Sequence, residues 1–343
     1  MHSATMQSTT IEENERVHPE AALPKTMPAA AFAGNNEITL KEAPLPTPGP
    51  TQVLVKLEGC GVCASNIPTY EGREWFSYPQ EPGSGGHEGW GIVVKAGEEV
   101  KSLQPGDRVA MLSYAAYAAY DVAEEEVCMK LEGPLADKAF PGEPLGCAIN
   151  IFNRCDIKPG HTVAIIGIGF LGALLTQLCK ERGATVIALS RREYSLQVAR
   201  DCGADHTIPL NDHWQIIEQV KQLTEEKWCD RVIEATGKEW PLNLAGELLR
   251  NRGRLIIAGF HQDGMRNVNI QQWNWKGLDV INAHEREQEV YMEGMHEAAA
   301  AVASGRIDPE PLYTHTFSLQ EIDKAFECIT QRPDGFLKAL IKL

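Results

Sequence analysis

From about residue 160 the chain alternates short β-branched runs with amphipathic stretches of ten or more residues, and this rhythm restricts its fold most. TVAIIG reads as a strand, GFLGALLTQLCKERG as a helix ending at glycine, and ATVIALS as a strand. EYSLQVARDCG is a second glycine-ended helix, ADHTI and DRVIEATG are strands, LNLAGELLRNRG is a helix and RLIIAGF a strand. Strands that alternate with helices this long imply βαβ units on a parallel sheet. Residues 162–179, TVAIIGIGFLGALLTQLC, form an 18-residue, mostly apolar run at the edge of a membrane-crossing length. Gly167, Gly169 and Gly172 divide it into strand, turn and helix, so no membrane partner is expected.

That turn, GIGFLG, opens the first βαβ unit, with Phe170 and Leu171 inside it. In this context the first glycine permits a tight turn, the second lets a pyrophosphate approach the backbone, and the third lets helix and strand pack closely. The phosphates would meet free N–H groups at the positive end of the helix. The expectation is a dinucleotide site. The end of the next strand reports which one. A carboxylate there would bind a ribose 2′-hydroxyl, but this chain has Ser190, Arg191 and Arg192. A hydroxyl beside two guanidiniums suits a 2′-phosphate and favours NADP. Thr236 in EATG, and Gly259 and Phe260 in AGF, end later strands and should reach the nicotinamide end.

The chain has 343 residues, more than one hydrophobic core usually supports. Residues 28–150 carry β-like runs such as QVLVKLEG and GWGIVVKAG between turn signals, and the stretch from 284 to 343 returns to mixed character. The expected division is a tail over 1–27, a β-rich unit from 28–150 joined by 284–343, and a nucleotide domain over 151–283. A net charge of −15 argues against nucleic acid as a partner. Nine scattered cysteines and no apolar leader run fit a reducing, cytoplasmic setting.

Among those cysteines only Cys60 and Cys63, in GCGVCASN, are close. They could be a redox pair, half of a structural metal clip, or one ligand of a catalytic metal. PGSGGHEGWGIVV adds His87 and Glu88, and PLGCAIN adds Cys147. Together with GVCAS these stretches resemble the medium-chain, zinc-dependent alcohol dehydrogenase family, from about residue 28 to the C-terminus. The resemblance implies a GroES-like β-rich catalytic domain and a doubly wound Rossmann domain, an α/β protein. It implies that Cys63, His87 and Cys147 hold one zinc, with Glu88 beside it as support or exchangeable ligand, and that Cys60 is a buried small residue. Hydride would pass between NADP(H) and a secondary alcohol or polyol, or the matching carbonyl compound. Ser65 stands at the family's proton-passing hydroxyl.

Two positions depart from the family. Pro68 replaces a histidine that often ends the proton relay, and Asn66 replaces an aspartate that orients the ligand histidine. Only Cys128 lies between the GDRV strand and Cys147, so a second, structural zinc is not expected. Trp75, Phe76 and Tyr114 are candidates for the substrate pocket, and His315 is read as structural. Assembly as a homodimer or homotetramer is expected along an edge strand, LDVINAH. The rival readings are a zinc-free quinone or enone reductase and a silent nucleotide-binding protein.

Overall fold

The computed structural model describes residues 23–343. The tail expected over 1–27 lies outside the described residues as far as residue 22, and Thr26 already begins the first strand. Strands β1 (Thr26–Gly34) and β2 (Glu37–Pro44) form a hairpin. Asn35 and Asn36 close it with φ of 52° and 60°, a left-handed pair that asparagine tolerates best after glycine.

The β-rich domain continues with β3 (Gln52–Gly61), the short helix α1 (Ile67–Glu71), β4 (Gly89–Ala96), β5 (Arg108–Met111), β6 (Tyr120–Glu124) and β7 (Cys128–Lys130). Helix α2 (Gly142–Cys155) then leads into the second domain. It runs through the expected boundary at 150/151 without a break, because its buried face, including Leu145, Ile149 and Phe152, belongs to the core that both domains share.

The nucleotide domain comprises β8 (Thr162–Ile166), α3 (Phe170–Glu181), β9 (Thr185–Ser190), α4 (Glu193–Asp201), β10 (His206–Pro209), α5 (His213–Leu223), β11 (Cys229–Glu234), α6 (Glu239–Leu248), β12 (Leu249–Ile257), α7 (Ile270–Lys276) and β13 (Asp279–Asn282). Its six strands are all parallel, in the order β10-β9-β8-β11-β12-β13. The order reverses between β8 and β11, which opens a crevice at the carboxyl ends of the strands. The apolar run at 162–179 is β8, its turn and most of α3. No described helix is long and apolar enough to cross a membrane.

One boundary and one whole helix differ from the sequence reading. The helix expected through LLRNRG stops at Leu248, and β12 begins at Leu249. Lys276 Nζ explains the stop: it donates to the carbonyls of Gly246, Glu247 and Leu249 at 3.1, 2.8 and 2.8 Å and so caps the helix end from another element. Helix α5 was absent from the alternation, and Asp212 starts it by accepting from Gln215 N at 2.9 Å.

The chain then returns through α8 (Gln288–Ala303), β14 (Tyr313–Ser318), α9 (Ile322–Gln331) and β15 (Lys338–Lys342). β15 pairs antiparallel with β3, with Ile341 opposite Cys60, and β3 pairs in turn with β4, with Cys60 opposite Gly89. The last strand of the chain is therefore built into the sheet of the first domain. The ends of β15, β3 and β4 lie side by side, and the candidate site stands there.

Candidate metal centre and cofactor cleft

Cys63 lies two residues past β3, His87 and Glu88 immediately precede β4, and Lys338 is the first residue of β15. The ligand atoms of Cys63, His87 and Glu88 lie within 4.8 Å of one another. Gly61 makes room for this, since a Cβ there would fall 1.7 Å from Glu88 Oε2. His87 Nδ1 donates to the Gly85 carbonyl at 2.8 Å, which leaves Nε2 as the ring nitrogen a metal would take in place of a proton. That carbonyl does the orienting work of the missing aspartate. Asn66 instead accepts from Tyr117 Oη at 3.3 Å.

Burial opposes protonation of His87, but its contact with Cys63 and the charges of Cys63, Glu143 and Glu88 carry its pKa up to about 10. Burial raises the Glu143 carboxyl, while His87 pulls it back down. Burial and the Glu143 charge push the Cys147 thiol well up. Glu88 and Lys338 form a buried ion pair, with Nζ 2.7 Å from Oε1 and 2.5 Å from Oε2. The second contact is poorly angled, and Oε2 has no satisfactory hydrogen bond among the described residues. Burial works to strip the Lys338 proton, and the Glu88 and Cys63 charges outweigh it.

A soft thiol, an imidazole Nε2 and a buried carboxylate are a donor set that fits a zinc-type cation. Cys147 is outside this triplet. It sits on α2 and donates to Glu143 Oε1 at 3.1 Å. The triplet thus contains Glu88, expected beside the metal as support or exchangeable ligand, while the expected third ligand, Cys147, lies on the neighbouring helix.

Sequence reasoning missed Glu143 and Lys338. Glu143 and Cys147 are four residues apart on one helix face, a spacing that could have flagged the pair. Lys338 carried no local signal.

Ser65 donates to Cys63 Sγ at 3.2 Å and so sits at the triplet. Cys60 is fully buried and hydrogen-bonds the Gly61 carbonyl. Pro68 is buried in the first turn of α1. Tyr114 is exposed, with its ring centroid 6.4 Å from that of His87. Trp75 is exposed beside half-buried Phe76. His315 packs against Phe336, its ring centroid 5.3 Å away.

The glycine-rich turn lies at the crevice. A Cβ on Gly172 would sit 2.1 Å from the Gly167 carbonyl, whereas one on Gly169 would meet nothing within 4 Å. Gly169 caps α3 without any side-chain hydrogen bond, so the helix N-terminus is left open toward that space, as a pyrophosphate requires. Glu234 is fully buried and knits the neighbouring loops together. It accepts from Thr236 N at 2.6 Å, its carbonyl accepts from Gly259 N at 2.8 Å, and its Oε2 accepts from His261 Nε2 at 2.8 Å. Phe260 is partly exposed next to this knot. At the end of β9 Ser190 is buried, Arg191 exposed and Arg192 half-buried. Lys338 links the two regions, because its Nζ also lies 5.2 Å from the ring centroid of Phe170, the first residue of α3.

Known proteins share this arrangement. Residues 49–151 match the alcohol dehydrogenase GroES-like domain, and residues 171–300 match the zinc-binding dehydrogenase domain. A sorbitol dehydrogenase of Halalkalibacterium halodurans is 28 % identical over 329 residues, covering 86 % of this chain and 93 % of its own. A sorbitol dehydrogenase of Mus musculus is 28 % identical over 348 residues, covering 90 % and 94 %. Among solved structures, the 2R,3R-butanediol dehydrogenase of Bacillus subtilis superimposes with a TM-score of 0.81 at 21 % identity, over 92 % of this chain and 99 % of its own. A Sinorhizobium meliloti 1021 protein bound to NADP does so with a TM-score of 0.77 at 25 % identity, over 93 % and 100 %. The two matched domains together span most of the chain, in the family's order and with its β-rich and nucleotide-binding architectures, and the chain belongs to the medium-chain dehydrogenase/reductase family, among its zinc-type alcohol dehydrogenase-like oxidoreductases.

Proposed function

We propose that the protein is a zinc-dependent dehydrogenase that prefers NADP(H) and acts on a polyol or other secondary alcohol, or on the matching carbonyl compound. The observation that carries this reading is the convergence of Cys63, His87 and Glu88 at the ends of adjacent strands, linked through Lys338 to the cofactor turn. Cys63 Sγ and His87 Nε2 would hold the metal with a carboxylate of Glu88, and Glu143 and Cys147 bear on its charge from α2. Zinc bound there supplies a Lewis acid for the substrate oxygen, and the nicotinamide supplies the hydride chemistry. Ser65 would accept the hydroxyl proton of the alcohol while giving up its own. Pro68 cannot take it further, so it leaves by the cofactor ribose, water or another side chain.

The polyol class is supported by the sorbitol dehydrogenases among the relatives. NADP is supported by the arginines at the end of β9 and by the NADP-bound neighbour. A homodimer paired along β13 would cover its unpaired edge and exposed Val280.

A panel of polyols, secondary alcohols and ketones, assayed with both nicotinamide cofactors, tests the reading. The expected result is turnover with NADP(H) at a kcat/KM at least roughly tenfold above that with NAD(H), equivalent to about 1.4 kcal/mol, and abolished by a chelator. Turnover of quinones or enones that survives the chelator would overturn it, as would tight NADPH binding without turnover of any alcohol or carbonyl.

A further inference from the structure

The two arginines at the end of β9 are not alone. Arg192 Nη1 donates to the Phe336 carbonyl at 2.6 Å, which fastens the end of β9 to the loop between α9 and β15. That loop belongs to the catalytic domain, and Arg332 begins it. Arg332 stands four residues before Phe336 in that loop and is solvent-exposed; partial desolvation, then the like charges of Arg192 and Arg191, lower its pKa. Among the described residues none of the three arginines forms an ion pair, although most of the other arginines do. In a chain of net charge −15, three arginines without ion pairs among the described residues, from two domains, are tied together by the Arg192–Phe336 bond where a nucleotide's adenosine end would lie, and the Asp334 carboxylate acts on Arg192.

We propose that Arg332 is a third phosphate-binding arginine, so that the 2′-phosphate of a phosphorylated adenosine is gripped from both domains: by Ser190, Arg191 and Arg192 on one side and by Arg332 on the other. This rests on the NADP reading and extends it to a residue outside the nucleotide domain. The simpler explanation is that Arg332 only satisfies the end of α9, where a cation is favourable. Its Nε does reach the Ile329 carbonyl, at 3.4 Å. That contact accounts for one nitrogen, and neither Nη1 nor Nη2 has a partner among the described residues. Nor does it explain the residue type. Arg332 is the C-cap in the left-handed region, φ 48° and ψ 62°, where glycine or asparagine is the comfortable choice. A dianion offsets the mutual repulsion of three guanidiniums and offers each a charge-assisted hydrogen bond.

The experiment is calorimetric titration of the full chain with 2′,5′-ADP and with 5′-AMP, which differ only in the 2′-phosphate and need neither metal nor turnover. Arg332→Gln should weaken 2′,5′-ADP roughly tenfold, the scale of one hydrogen bond to a charged group. It should leave 5′-AMP within about twofold. Arg332→Gly suits the left-handed backbone and should give the same result, which separates loss of the guanidinium from loss of the helix cap. Arg191→Gln serves as the reference for a residue of the nucleotide domain. Unchanged 2′,5′-ADP affinity in both Arg332 variants while Arg191→Gln weakens it would overturn this inference and leave the NADP reading standing. Equal weakening of both ligands would also overturn it, since Arg332 would then act only through the fold. Wild-type protein that binds 2′,5′-ADP no better than 5′-AMP would overturn the NADP reading, and this inference with it.

Discussion

Cys63→Ser should lower kcat/KM for the best alcohol substrate by at least roughly a thousandfold and bring the bound zinc close to zero, while the fold and NADPH binding persist. The size follows from the several kcal/mol that Lewis-acid stabilisation supplies, at about 1.4 kcal/mol per tenfold. Cys63 is the only thiol among the three converging side chains, and it sits in the loop between β3 and α1 rather than in the core. Its loss therefore removes the softest ligand and little packing. Serine keeps the shape but binds zinc poorly. Steady-state kinetics, metal content and NADPH fluorescence on one preparation check this. A variant that keeps both zinc and turnover would show that the thiol is structural.

Lys338→Met should be the most destabilising single change in the catalytic domain, by about 3–5 kcal/mol in metal-stripped protein. The Glu88 side chain is fully buried and that of Lys338 is 6 % exposed. Lys338 Nζ also donates to the Val62 carbonyl at 3.1 Å. Methionine would leave an anion and a carbonyl buried without a partner. With zinc bound, the metal's charge takes over part of the compensation, so the loss should shrink. Lys338→Arg, which keeps the charge, should lose less, and Glu88→Gln combined with Lys338→Met should recover part of the loss. Thermal melts of metal-stripped and zinc-loaded forms measure each case. A loss under about 1 kcal/mol, the worth of an exposed pair, would mean that the pair contributes no more than a surface contact.

The nucleotide domain was legible because each of its elements buries one face, so the switch between strand and helix periodicity is written into the residues themselves. GIGFLG could be placed by local context alone. The metal centre was legible only in part. Cys63, His87 and Glu88 stand in distinctive local motifs and do converge. The third donor, Cys147, came from the family resemblance of PLGCAIN, and the helix spacing that also offers Glu143 went unused. Lys338 is 250 residues from Glu88 in the chain, and only the β15-β3-β4 register brings them together. The support for His87 comes from the Gly85 carbonyl, a backbone group with no signature in sequence. The early end of α6 has the same kind of cause, since its carbonyls are capped by Lys276 from α7.

The most direct test is anomalous diffraction at the zinc edge from a crystal of the wild-type protein grown with zinc and NADPH. One strong peak should bridge Cys63 Sγ and His87 Nε2, with a carboxylate or thiolate from Glu88, Glu143 or Cys147 completing the donors. No peak at that position, or a peak held by other residues while Cys63 and His87 remain unligated, would contradict the site from which the proposed chemistry is drawn.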